Sequence, residues 1–176
     1  DMDRVSGKSP GANSVRLQSD FYTMTIDTES GCITHLEEME SGRIFIGAKD
    51  SVEHIPNHNN LFSVEYEIPH RASAWNIGEI SRSEHLTRGA VVAIISSGAV
   101  MDVVSVEHRL GKSTIAQRIF FYRALRRIDF KTVVQWDEVS GPDRDAPLLR
   151  VSFEPELSDI SRTRYDIPFG VIERYS

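Results

Sequence analysis

The sequence predicts an all-β chain, a large antiparallel β-sandwich, and three observations point there. From Val15 onward apolar residues recur with period two, as in Tyr22-Thr-Met-Thr-Ile26, where residues 22, 24 and 26 share one face and the threonines the other. Turn chemistry separates the runs, at Asp27-Thr-Glu-Ser-Gly31, at Leu110-Gly-Lys-Ser113 and over 140–147 (SGPDRDAP). No stretch sustains a helical apolar stripe; Ile33 to Met39 begins one but has no apolar turn after it. Long alternating strands with one dry and one wetter face close most simply as a sandwich.

Residues 1–13 (DMDRVSGKSPGAN) combine Ser, Gly, Pro and charge with almost nothing apolar, so they read as a flexible linker or terminus, and the sandwich domain spans 14–176. Residues 22–36 form a hairpin around Gly31, and Arg43-Ile-Phe-Ile46 is a further short strand. The polar stretch 47–60, with Pro56, is a loop; Leu61-Phe-Ser-Val-Glu-Tyr66 resumes the alternation. After a loop from Pro69 to Ala74, four long strands are expected at 77–84, 88–97, 101–110 and 113–122. The next, 128–136, puts Ile128, Phe130, Thr132, Val134 and Trp136 on its dry side, with Trp136 in the core. Strands near 148–154 and 161–167 follow. In Arg164-Tyr-Asp-Ile-Pro-Phe-Gly-Val-Ile-Glu-Arg174, Pro168 ends a strand, Gly170 turns, and Val171 opens another with no room to find a partner before Ser176. With Asp1 in place of an initiator Met, the chain reads as part of a larger domain, the sandwich incomplete at its C-terminal end.

Composition narrows the function. A net charge of −6 argues against a nucleic-acid surface, and no apolar run reaches the roughly 20 residues of a membrane helix. Cys32 is the only cysteine, which excludes an internal disulfide and cysteine-built zinc, and mildly favours a reducing, cytoplasmic setting.

Several residue groups invite chemistry. His54 and His58 share a face only on a helix, which Pro56 opposes, so a polar loop is the simpler account than a metal site. His35, His85 and His108 lie in strands beside charged residues and read as solvent-facing. Glu37, Glu38 and Glu40 crowd a turn, where charge is ordinarily solvated, rather than facing each other across a sugar. Gly7-Lys8-Ser9 lacks the rest of a phosphate loop. Trp75 lies in a loop beside Asn76, a placement suited to sugars, whose C–H face stacks on an aromatic ring while amides bind hydroxyls. The plainer alternative, which the residues alone favour, is a Trp packed against the core where a strand begins.

Gly111 to Trp136, Leu148-Leu-Arg-Val-Ser-Phe153 and Arg164 to Arg174, taken in order with the hairpin Phe21 to Leu36, resemble the β-rich C-terminal part of glycoside hydrolase family 38 α-mannosidases. The resemblance spans roughly 15–175; each motif is modest, and the ordered set is fairly specific. It implies a sandwich of the mutarotase-like supersandwich type. It implies a parent that is a retaining, exo-acting α-mannosidase, with zinc or another divalent metal, nucleophile and acid/base carboxylate all in an N-terminal catalytic barrel of the same polypeptide. None of those residues maps onto this chain, which is expected to be inactive alone, to hold no cofactor, and to pack on the barrel. Ala72-Ser-Ala-Trp-Asn-Ile77 is similar to the family's Asp-Ala-Trp-Asp-Ile stretch near the cleft. Ser73 and Asn76 replace its two acids, which removes charge and leaves Trp75 and Asn76 a sugar-contacting or loop-bracing role toward mannose-containing glycans. A free-standing carbohydrate-binding module is the alternative. A mutarotase-like enzyme using His85 or His108 ranks third, because no spacing selects a partner carboxylate. Missing strands would leave an exposed sheet edge, suited to pairing two copies.

Overall fold

The computed structural model describes residues 13–47, 59–73, 75–141, 145–157 and 162–175, and among them lie thirteen strands and no helix. The first sheet runs in chain order through β1 (Ser14–Gln18), β2 (Tyr22–Asp27), β3 (Ile33–Glu38) and β4 (Ile44–Ile46), each antiparallel to the last. The expected turn at 27–31 forms because the Asp27 carboxylate accepts from Ser30 N at 2.7 Å and Ser30 Oγ at 2.6 Å, while Gly31 takes φ +70°. A side chain at Gly31 would also collide with Val106.

β5 (Leu61–Glu67) and β6 (Ile80–His85) start a second sheet. The long strands β7 (Val91–Ser97), β8 (Met101–Leu110), β9 (Ser113–Tyr122) and β10 (Ile128–Gln135) then form their own antiparallel sheet in order β10-β9-β8-β7. β11 (Ala146–Ser152) returns to the far side of β5, giving the order β11-β5-β6. β12 (Arg162–Ile167) and β13 (Gly170–Tyr175) close a hairpin. The strand opened near Val171 therefore does find a partner, contrary to the sequence reading. Its two-residue turn is Pro168-Phe169, so β13 already begins at Gly170, opposite Ile167.

The core lies between the β1–β4 sheet and the β7–β10 sheet. Val15, Leu17, Met24, Ile26, Ile33 and Ile46 of the first pack against Val104, Val106, Ile119 and Phe121 of the second. β9 shows the cause: odd residues from Ser113 to Phe121 are buried, while Thr114, Ala116 and Arg118 are exposed. Each large side chain so buried contributes about 1.5–3 kcal/mol. An all-β sandwich is thus what the chain forms. β10 keeps the expected register, with Ile128, Phe130, Thr132 and Val134 opposite the buried face of β9, yet Phe130 is 37% and Val134 39% exposed. Phe130 instead meets Phe153 edge to face, centroids 5.1 Å apart. Trp136 follows β10 and is half-buried, not in the core.

Polar groups fix how the sheets meet. The Arg123 guanidinium donates to Asp102 Oδ1 (2.8 Å), Gly98 O (3.0 Å) and Gln18 O (3.2 Å), stapling the long sheet to the end of β1. Arg126 grips both Glu38 and Glu40 and lies 4.7 Å over the Phe21 ring. Asn60 and Gln117, both buried, exchange amide hydrogen bonds of 2.7 and 3.1 Å just before β5 begins. Asn59 bridges to Ile33, so the first residues of β5 sit where the three larger sheets converge.

Candidate functional site

The loop from Ile68 to Glu79 joins β5 to β6 and presents the two residues singled out in the sequence. Its base is shut by Ile68 N donating to Glu79 O at 2.9 Å. Inside it, Ser73 Oγ accepts from His70 N (2.9 Å) and donates to His70 O (3.0 Å), and Ser73 N donates to the same carbonyl at 3.1 Å. Ala72 O then accepts from Trp75 N at 2.8 Å and from Asn76 N at 3.0 Å, which turns the backbone at the two consecutive residues. Trp75 is 89% exposed and Asn76 is exposed beside it. The packed-Trp alternative is thereby removed.

Below the loop, Glu67 closes β5 and is 1% exposed. Its Oε1 accepts from His70 Nε2 at 2.9 Å and from Gly78 N at 2.5 Å. The sequence reading missed this pair; Glu67 followed by Pro69 and His70 looks like ordinary solvated charge at a strand end, and only the folded loop turns it inward. Next to it, the Arg82 guanidinium stacks 3.4 Å from the Tyr66 ring centroid and pairs with Glu84. On the other side of β5, Arg150 meets Glu65 Oε1 at 3.0 Å, and Glu65 Oε2 is buried without a partner.

The remaining candidates fall elsewhere and apart from one another. His54, His58 and Gly7-Lys8-Ser9 lie outside the described residues. His108, expected at the surface, is 4% exposed with Phe62 edge-on at 5.7 Å, and burial lowers its pKa. It cannot present a base to a substrate. His85 is exposed on β6, and His35 pairs with Glu37 at 3.2 Å. Cys32 is buried, its thiol pushed up to about 11 mainly by desolvation, so it is no nucleophile at neutral pH. Glu38 and Glu40 are engaged by Arg126. Among the described residues no group of three or more His, Cys, Asp or Glu is placed to hold a metal ion.

Fold and loop together define an all-β sandwich domain with a braced, outward-facing aromatic. Its family follows from comparison: residues 17–176 match the family model for the glycosyl hydrolases family 38 C-terminal domain, and the chain belongs to that family. It is thus a domain of a family 38 glycoside hydrolase. Comparison with curated proteins gave no match.

Proposed function

We propose that this is the non-catalytic sandwich domain of a retaining α-mannosidase that removes terminal α-mannosides from glycans. In this reading it is part of a larger sandwich and packs on a zinc-dependent catalytic domain of the same polypeptide. Trp75 and Asn76 line the sugar cleft, the indole covering the C–H face of a mannose ring and the amide meeting its hydroxyls. The observation that carries this reading is the 89% exposure of Trp75 on a hydrogen-bonded loop. An indole has roughly 150–250 Å² to bury, on the order of 4–6 kcal/mol, and an ordered loop that withholds it from the core keeps that free energy for a ligand.

In the polypeptide carrying both domains, Trp75→Ala is expected to raise KM for an aryl α-mannoside roughly tenfold, with kcat changed much less. An unchanged KM removes the sugar-facing role. The 176-residue chain alone, with or without zinc, is expected to show no turnover of that substrate; clear hydrolysis would overturn the non-catalytic assignment. The same exposed aromatic fits a free-standing carbohydrate-binding module. Saturable mannoside binding by the chain alone, abolished by Trp75→Ala, is the result that favours the module.

A further inference from the structure

The loop that carries Trp75 gains little order from apolar burial. Ile68, Trp75 and Ile77 are 43%, 89% and 56% exposed. What holds it is polar, and the donors and acceptors form a connected path. Glu67, whose side chain is 2% exposed, accepts from His70 Nε2 and from Gly78 N, one donor from each arm of the loop. His70 Nδ1 accepts from Ala72 N at 3.2 Å, so the ring hydrogen must sit on Nε2, and the imidazole is assigned the neutral tautomer that points its hydrogen at Glu67. Ala72 O in turn receives Trp75 N and Asn76 N. A Cβ at Gly78 would stand 2.6 Å from His70 Cδ2 and 3.0 Å from Glu67 Oε1, so a larger residue there would displace the His70 ring from its place against Glu67.

We propose that Glu67 is a positioning residue, acting through His70 and Gly78 to preset Trp75 and Asn76 for a sugar. The physical reason is reciprocal. A carboxylate shielded from water is costly unless donors reach it, and the donors identified here both come from the loop, so opening the loop strands the charge. The sugar then meets an aromatic face already ordered, and binding is spared the entropy of arranging it. Glu67 is not itself a catalytic candidate, since its accepting oxygen is committed to the loop and its side chain is shielded. The inference rests on the sugar-facing reading of Trp75, and its test separates the two.

The test uses the polypeptide with both domains for kinetics, and the present chain carrying Trp136→Phe for fluorescence, which leaves Trp75 its sole tryptophan. Time-resolved anisotropy reports the motion of the indole, and mannoside KM and kcat report function. In Glu67→Leu, which leaves both loop donors without an acceptor, and in His70→Ala, the amplitude of subnanosecond Trp75 depolarisation is expected to roughly double, and KM to rise roughly tenfold, equivalent to about 1.4 kcal/mol, with kcat within about twofold. His70→Gln, whose amide supplies both a donor and an acceptor, is expected to restore both readouts. His70 is 35% exposed at its side chain, so its variants keep the test available should Glu67→Leu fail to fold. Unchanged anisotropy in both disruptive variants overturns the inference whatever KM does. Raised mobility with unchanged KM, in a protein where Trp75→Ala does raise KM, overturns the presetting role. If neither Trp75→Ala nor loosening the loop alters KM, the brace stands and the sugar-facing reading falls.

Discussion

Replacing Arg123 by methionine tests the joint between the two core sheets. Met keeps most of the apolar stem and removes the guanidinium from Asp102, Gly98 O and Gln18 O. Asp102 is 3% exposed and would retain only the Ser97 hydroxyl, at 2.6 Å. Stranding one member of a fully buried pair costs about 3–5 kcal/mol. Arg123 is 26% exposed at its side chain, so water can partly replace it, and the expected loss is about 2 kcal/mol. For a domain of this size that lowers Tm by roughly 4–8 °C. Urea unfolding followed by circular dichroism, on the wild type, Arg123→Met, Asp102→Asn and the double variant, measures the loss and the coupling. The double variant should lose about 1–2 kcal/mol less than the sum of the singles, because Asn no longer needs a cation. A loss below about 0.5 kcal/mol in Arg123→Met, or strictly additive singles, refutes the reasoning.

Two further outcomes follow from the core. Gly31→Ala combines a left-handed backbone (φ +70°) with a collision against Val106, and should cost about 2–4 kcal/mol; Gly89→Ala, at φ +75° with nothing nearby, should cost only about 1–2. Equal losses in urea unfolding would show that the Val106 contact is not tight. For His108, burial lowers the folded-state pKa below the ordinary 6.5, so the unfolded chain takes up the proton first as pH falls. Stability is therefore full above about pH 6.5 and declines as pH drops toward the folded value. His108→Gln should flatten that decline, and an unaltered slope between roughly pH 7 and pH 5 would contradict it.

What was legible in the sequence was local. The β8–β9 hairpin is read directly from two alternating runs around Leu110-Gly-Lys-Ser113, and Leu110 does face Ser113 across the turn. The return of β11 to β5 was not legible, because nothing near residue 146 marks a partner so far back in the chain. His108 was misplaced by polarity, although the period of β8 puts it on the face of Val104 and Val106, and the period won. The final hairpin shows turn chemistry missing by one position. Gly170 looks like the turn residue, but the positive φ of +67° falls on Phe169, between Pro168 and the first residue of β13. Trp75 and Asn76 were legible as a pair. Glu67 was not, since a buried carboxylate announces itself only once the loop has folded over it.

Stability and the candidate site occupy different parts of this fold. The main apolar cluster draws all its buried members from the β1–β4 and β7–β10 sheets. β5 buries apolar side chains only in its first half, at Leu61, Phe62 and Val64, and β6 is exposed along almost its whole length. Along β5, then, the apolar burial stops at Val64, before the Trp75 loop, and the buried residue nearest the loop is the charged Glu67. An aromatic left outside the core needs some other source of order if it is to bind anything, and the hydrogen bond between His70 and the buried Glu67 carboxylate is the kind of tie that works without burying the indole. Core variants such as Gly31→Ala should thus change global unfolding while Trp75 anisotropy in the folded state stays constant. His70→Ala should do the reverse. That separation is what distinguishes a loop held by its own polar brace from one held by the sandwich beneath it.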